Sequence, residues 1–384
     1  MKNIRFFFIT NLFIGLSLQL LTTTIIAQQP CSEDVLMNTK GTWKRASDAN
    51  MKAGNQSQAI SRIDKMQKIL LAAYPEPKGI EAKWYRTMVN DPLIINGPIP
   101  YQFNALFLTY YCNTYNHNKE LGDETETWFY VYANHFNWFM EYDQFFSVHK
   151  QPVYLLTKKV GEIHGYPLYE GIHNGTSNTG TKYSRTVIIT RPGNSPYVPV
   201  TRKQYLQLFI KLKEKNRTEQ IQFTEKKPER TAAEQEIVKQ KGMENALRGA
   251  SPNRIEERRA SYLKRYRTDK EQKEEDLLNL NKRYDDYIKA AKDLLNNMNE
   301  VDAKMPAIVS NDYISKFERF FSEEEGGRML VRLNPDYFNN KLPNYVPQFL
   351  IVYWRWEKNK PSQNFKEQIE THFNFNALQQ MLDK

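Results

Sequence analysis

Leu277-Leu278-Asn279-Leu280-Asn281-Lys282-Arg283-Tyr284-Asp285-Asp286-Tyr287-Ile288-Lys289-Ala290-Ala291-Lys292-Asp293-Leu294-Leu295-Asn296-Asn297-Met298 is the most regular run in the chain. Leu277, Leu280, Tyr284, Tyr287, Ala291, Leu294 and Met298 recur at steps of three and four, which places them on one helical face. Upstream, Leu263 and Tyr266 keep that spacing, while Lys270 and Lys273 take the two intervening positions. Ser251 is placed to cap the start, Pro252 suits the first helical position, and no breaker intervenes before about Asn299. The pattern predicts one helix of roughly 70 Å at 1.5 Å per residue, with a coiled-coil-like seam in its C-terminal half.

A second helix precedes it. Thr231 with Glu234 forms a capping box, and Gly249 is suited to end the helix it opens. Between Lys213 and Asp276 large apolar residues are sparse, and Lys, Arg, Glu and Gln dominate. Two helices joined at Gly249 therefore predict a helical hairpin over residues 217–305 whose distal part projects into solvent. The seam from Leu277 to Met298 would be satisfied inside the hairpin or by a second copy of the chain. Another capping box, Thr201 with Gln204, is flanked by a staple of Val200 against Tyr205, and that helix buries Leu206, Phe209 and Ile210.

Working outward, the texture on either side is different. Ile60, Ile63, Met66, Leu70 and Tyr74 repeat at three or four, predicting a helix from Asn55 to Tyr74 that Pro75 and Pro77 end. From Leu93 to Val200 the chain reads as strand: Phe103 to Tyr111, Thr127 to Tyr142, Val153 to Lys159 and Arg185 to Thr190 are rich in aromatic and β-branched residues. Trp128-Phe129-Tyr130-Val131-Tyr132 is apolar on both faces, so it is either doubly covered or presents aromatics outward. His173 to Lys182 is small, polar or glycine throughout and reads as an exposed loop. Arg328 to Leu333 and Gln348 to Trp356 are two further strands, with a short helix at Asn376 to Leu382. Together these predict an α+β fold: a largely antiparallel sheet with flanking helices and the long hairpin as an insertion. The N-terminal α+β part is residues 28–216, and residues 306–384 complete the sheet.

The start of the chain gives compartment. Lys2 and Arg5 precede an apolar run from Phe6 to Leu21, then Thr22, Thr23 and Thr24 lead to Ala27. Basic, apolar and small-residue regions in that order read as a signal peptide over residues 1–27, with Gln28 as the new N-terminus. An uncleaved anchor is the rival, because Ile4 to Ala27 nearly spans ~30 Å of hydrocarbon, but polar residues interrupt the run. Gln28, Gln29 and Pro30 before Cys31 argue against lipoprotein processing. Removing residues 1–27 from 384 leaves 357, and removing Lys2 and Arg5 from a net +10 leaves +8. An exported protein of that charge seldom meets nucleic acid; anionic envelope polymers or lipid head groups are the expected attraction, with simple solubility the plainer account of the charge. Its two cysteines, Cys31 and Cys112, predict a disulfide in an oxidising compartment, with a buried Cys112 thiol as the alternative.

Candidate chemistry is thin. No HExxH, GxSxG, phosphate-binding glycine loop or paired-cysteine metal motif is present, and no cofactor is implied. In Glu162-Ile163-His164-Gly165-Tyr166-Pro167-Leu168-Tyr169-Glu170-Gly171-Ile172-His173, alternate strand residues Glu162 and His164 share a face. If a loop brought Glu170 or His173 alongside, the set would suit zinc through His164 and His173. Glu162 and Glu170 would alternatively serve acid–base work on a glycoside or peptide bond. The competing interpretation is an ordinary hairpin edge with outward charges. Arg254, Arg258, Arg259, Lys264, Arg265, Arg267, Lys270 and Lys273 stand against only Glu256, Glu257, Asp269 and Glu271. Arg258, Arg259, Arg265 and Arg267 are the candidate binding residues, against the plainer reading of a solvated helix face. Phe136-Asn137-Trp138-Phe139 is read as buried core in preference to a sugar-stacking surface.

The Ala27-Gln28-Gln29 junction, Gly41-Thr42-Trp43-Lys44, and Arg191-Pro192-Gly193-Asn194-Ser195-Pro196-Tyr197-Val198-Pro199-Val200-Thr201-Arg202-Lys203 resemble segments of uncharacterised secreted proteins of the Bacteroidetes. The resemblance covers those short segments and carries no activity. The expectation is an exported periplasmic or cell-surface protein, binding or structural in role. Its partner would be an acidic envelope component or another protein, and homo-oligomers are allowed. A carboxylate hydrolase at residues 162–173 is the alternative.

Overall fold

The computed structural model describes residues 31–50, 57–89, 93, 97–136, 139–172, 174–177 and 180–384. The expected signal peptide, residues 1–27, lies outside these residues, and none of the described helices is long and apolar enough to cross a membrane. The chain is α+β, as the patterning predicts, and divides into two compact units interleaved in sequence. Of the described residues, one holds those within 31–135, 174–185 and 343–384, and the other those within 136–172 and 186–342.

In the first unit, β1 (Trp43–Arg45), β2 (Ile80–Met88), β3 (Tyr101–Cys112), β5 (Trp128–Ala133), β15 (Leu350–Glu357) and β11 (Gly180–Ile189, which runs on into the second unit) lie in that order. β1 runs parallel to β2; β2, β3, β5 and β15 are mutually antiparallel. β4 (Lys119–Leu121) extends β3, and β10 (Gly175–Ser177) pairs with the start of β11, so the region expected to be a bare loop holds a short hairpin. One sheet face is covered by α2 (Ser57–Ala73) and α8 (Lys360–His372), after the short α1 (Glu33–Met37) and before the short α9 (Phe375–Gln379). Ile63, Met66 and Leu70 of α2 are fully buried, and Phe365 of α8 packs 4.2 Å from Phe107. Along β5, Phe129 and Val131 are buried, whereas Trp128 and Tyr130 are half-buried and stack on each other at 5.6 Å. Cys31 and Cys112 stand at disulfide distance, with Cα atoms 5.5 Å apart.

The second unit holds a sheet in the order β12 (Tyr197–Pro199), β14 (Arg328–Leu333), β7 (Gln151–Leu156), β6 (Met140–Val148), with β13 (Ile308–Val309) beside β14. The two C-terminal strands therefore part company: β15 joins the first unit and β14 the second. Phe136 and Phe139 are buried, as expected; residues 137 and 138 lie outside the described residues. Five helices follow: α3 (Arg202–Glu225), α4 (Ala232–Leu247), α5 (Ile255–Arg265), α6 (Asp269–Asn297) and α7 (Glu300–Lys304). The capping boxes at Thr201 and Thr231 form as read, and Gly249 takes a φ of 69°, in the left-handed region glycine tolerates.

The expected 70 Å helix does not exist. It breaks at Tyr266–Thr268, because Thr268 and Glu271 make their own capping box and start α6 afresh. Ser251 makes no cap; Pro252–Arg254 is a 3₁₀ turn leading into α5. The expected hairpin is thus two antiparallel helix pairs in series, α3 with α6 and α4 with α5. Residue 216, expected as a boundary, falls inside α3.

Part of the seam is covered within the chain: Leu277 is half-buried, Leu294 stays exposed, and Ile288, outside the expected spacing, is buried. Leu280, Tyr284, Ile288 and Ala291 of α6 belong to one buried cluster with Leu206 and Phe209 of α3 and Phe146, Val153, Leu155 and Leu330 of the sheet. Arg217 bridges the pair, at 2.9 Å from Asn281 and 2.7 Å from Asp285. Lys213 is buried there too: its ammonium donates to the Ser315 carbonyl at 2.7 Å and sits 5.1 Å from the Phe209 and Tyr287 rings. Burial, then the nearby Arg283 charge, pushes its pKa down.

Two outcomes follow from this packing. Replacing residues 231–266 with a short Gly/Ser linker should leave a cooperative urea transition, because α4 and α5 bury no side chain fully. Replacing residues 217–300 should instead give a molten or insoluble product, since it removes four core side chains of α6; a cooperative transition in that variant would refute the assignment. Separately, Cys31→Ser with Cys112→Ser should lower stability. The loop closed has a sequence separation of 81, for which chain entropy sets a scale of about 4 kcal/mol. An unchanged urea midpoint for the double variant would show that no bridge forms.

Candidate functional site

Residues 162–173 form the hairpin of β8 (Lys159–Ile163) and β9 (Tyr166–Glu170). Ile163 faces Tyr166, leaving a two-residue turn of His164 and Gly165. Both have positive φ, 49° and 82°, as a type I′ turn requires. His164 is therefore a turn residue and not a strand neighbour of Glu162. Glu162 pairs in register with Pro167, so it shares a face with Pro167 and Tyr169, while Glu170 points to the other face. The two carboxylates are also separated along the hairpin by three residues of β9, roughly 10 Å at 3.3 Å per residue. Glu162 is exposed and ion-paired with Lys159 at 3.4 Å. His173 lies outside the described residues, and among those described no group of three or more His, Cys, Asp or Glu side chains could hold a metal. The register does not bring the expected acid–base pair together.

The basic residues stand on a built arm. Residues 226–267 carry twelve Lys and Arg against six Glu, a net +6. On α4 the half-buried Gln235, Lys239, Gly242, Met243 and Ala246 recur at three or four and form its inner stripe. Tyr262 of α5 and Tyr266, just past its end, donate to the carbonyls of Lys239 at 3.0 Å and Gln235 at 3.2 Å. Gly242 is required by this contact: a Cβ there would lie 2.2 Å from the Tyr262 hydroxyl oxygen and 2.9 Å from its Cζ. The outer surface keeps Ile237 and Leu263 exposed, at 53% and 46%.

The four candidate arginines divide into two kinds. Arg258 donates to the carbonyls of Ala246 and Arg248, where α4 ends, and Arg267 donates to those of Lys264 and Tyr266, where α5 ends. Those carbonyls lack helical partners, so the two guanidinium groups act as caps. Arg259 pairs with Glu256 one turn back at 2.7 Å, and Arg265 bonds the Ser261 carbonyl of its own helix. These two, with Arg254 and Lys264, remain exposed and leave the hairpin's connections alone.

Where the arm meets the base, charges are paired closely. Arg230 grips Asp269 with its side chain, and its backbone N–H also donates to that carboxylate at 2.8 Å. Lys227 reaches Asp276 at 3.4 Å, and Lys273 reaches Glu229 at 3.2 Å. The Arg230 side-chain hydrogen bond, then its backbone donor, holds the Asp269 carboxyl down to about 2 from an ordinary 3.8.

A concavity of about 390 Å³ opens elsewhere in the same unit, beside the edge strand β6. The β6–β7 register shifts between Asp143 and Ser147, a bulge. It turns Asp143 inward, 4% exposed, where one carboxylate oxygen accepts from the N–H groups of Phe145 and Phe146 at 2.6 and 3.0 Å. The other accepts from the Tyr313 hydroxyl. Burial first, then that bond to Asp143, pushes the Tyr313 pKa well up, so it stays a donor. Glu141, Tyr142, Gln144, Asn311 and Arg328 add further polar groups to the lining. Nothing in the sequence announces this pocket, since Asp143, Tyr313 and Arg328 are brought together only by the fold. No family model, curated protein or solved structure matches the chain.

The Arg230–Asp269 pair should set how firmly the arm is held. A carboxyl whose pKa is lowered by folding contributes stability above 3.8 that fades as pH falls towards 2. Amide exchange in α4, corrected for intrinsic rates, should be steady from pH 7 to 5 and faster below the carboxylate range. Asp269→Asn should bring that faster exchange to pH 7. Wild-type protection in the variant would mean the pair does not anchor the arm.

Proposed function

We propose that this is an exported, non-enzymatic binding protein that engages an acidic envelope partner through the arm of α4 and α5. The observation that carries this reading is charge placement. The expected exported chain has a net +8, and residues 226–267 alone hold +6. Only +1 of that lies within the two helices, which bury no side chain fully; the rest lies in the segments that flank and join them. Caps and ion pairs at Lys227, Arg230, Arg258, Arg259 and Arg267 use part of it, and the exposed charge that remains, as at Arg254 and Lys264, steers an oppositely charged surface. The exposed Ile237 and Leu263 add apolar contact once the partner is close. The export segment and the cysteine pair at disulfide distance both suit a compartment outside the cytoplasm.

The test must spare the caps. Arg254, Arg259, Lys264 and Arg265 changed together to Gln lower the arm from +6 to +2 while leaving Arg258 and Arg267 in place. Immobilised poly-L-glutamate serves as the acidic probe. Wild-type protein should be retained at low salt and released as the screening length shortens to ~10 Å at 0.1 M. The variant, with unchanged helical circular dichroism, should bind about ten-fold more weakly, a difference of ~1.4 kcal/mol. Equal retention of both proteins would end the electrostatic reading.

A further inference from the structure

The pocket beside the β6 bulge has a chemistry of its own. Its volume of about 390 Å³ falls in the range of small-ligand sites. The lining carries two carboxylates, Glu141 and Asp143, against one guanidinium, Arg328, a formal charge of −1 on a chain that is otherwise basic. The two carboxylates are not equivalent. Asp143 is committed to two backbone N–H groups and the Tyr313 hydroxyl. Glu141 is 47% exposed and, among the described residues, pairs only with Arg328, at 3.0 Å, which leaves its second oxygen open to a donor.

Arg328 has capacity left as well. Its Nε donates to the Leu156 carbonyl at 3.1 Å, and its Nη2 serves the Leu155 carbonyl and Glu141. Its Nη1 makes no hydrogen bond to another described residue. The guanidinium is thus fixed by the backbone of β7 with one pair of N–H donors left for an acceptor. Phe145, in the bulge, lines the same space and is 49% exposed.

We propose that this pocket binds a primary ammonium group with a neighbouring oxygen acceptor, the pattern shared by an amino sugar and a peptide N-terminus. The ammonium sits against the Glu141 carboxylate and the Phe145 ring, whose face attracts a cation. The adjacent hydroxyl or carbonyl oxygen accepts from Arg328 Nη1. An anionic ligand meets the negative balance of the lining, and a neutral one makes no charge-assisted bond to the Glu141 oxygen that Arg328 leaves open. This site is independent of the arm and of its partner.

Calorimetry or ligand-observed NMR on the full exported chain at pH 6 decides the matter, with glucosamine and alaninamide as probes, glucose as the neutral control and glucuronate as the anionic one. At least one amine should bind ten-fold or more tightly than glucose, with glucuronate weakest; which amine binds tells sugar from peptide. Glu141→Gln should reduce amine affinity to the glucose level, and Phe145→Ala should weaken it several-fold. Both substitutions are at half-exposed positions and leave Asp143 and its bonds intact. If neither amine exceeds glucose, or if amine affinity survives both substitutions, the assignment is wrong.

Discussion

Helix α6 runs for 29 residues but buries side chains only at Leu280, Tyr284, Ile288 and Ala291. That stripe covers eleven steps of the helix, roughly 17 Å at 1.5 Å per residue. Each large side chain it removes from water contributes about 1.5–3 kcal/mol, and with α3 and the sheet it closes the core of its unit. Below Leu280 the stripe ends. What continues outward is held by hydrogen bonds, caps and ion pairs, each worth about 1 kcal/mol or less at an exposed site. The length of one apolar stripe therefore sets where a firm base gives way to a lightly held arm, and the basic residues lie beyond that point.

Much of this was legible because the signals are local. Thr201 with Gln204 and Thr231 with Glu234 lie three residues apart, and each oxygen finds its N–H as soon as the helix turns. Gly249 needs only its own left-handed φ. Arg328 to Leu333 reads as a strand from its own residues and is one. Thr268 with Glu271 is an equally good capping box, and it was masked by the apolar spacing that runs through it. A capping box inside a periodic run marks a break when a residue just before it, here Arg267, bonds the carbonyls of the helix that ends there. Helix α8 was missed for the opposite reason: Asn359 and Pro361 signal its start, but Phe365 and Ile369 are its only large buried groups.

What stayed hidden depends on register or on distance in sequence. Whether Glu162 and Glu170 share a face is decided by whether His164 sits in the strand or in the turn, a shift of a single residue. Histidine-glycine is a less common turn pair than asparagine-glycine, so the turn was not obvious, although Gly165 supplies the needed freedom. The Asp143–Tyr313 bond spans 170 positions and depends on a bulge that no local pattern encodes. Strand alternation would place Asp143 and Phe145 together on one face, and the bulge departs from it.

The same charges cannot be assigned wholesale to structure or to binding. Arg258 and Arg267 neutralise carbonyls that a helix end leaves unpaired, so removing them loosens the arm before any partner is considered. Arg254 and Lys264 make no comparable bond, and their charge is available to something outside the chain. Salt screens both sets at once. Ion pairs such as Lys227–Asp276 weaken along with the attraction to a partner. An arm without a core opens at low cost, and a partner that binds only the closed form shifts that equilibrium by mass action. Binding and ordering of α4 and α5 are then one process, and weakening by salt alone does not separate them. Neutralising cations that cap nothing does, because it changes the field while leaving the hairpin's own bonds in place.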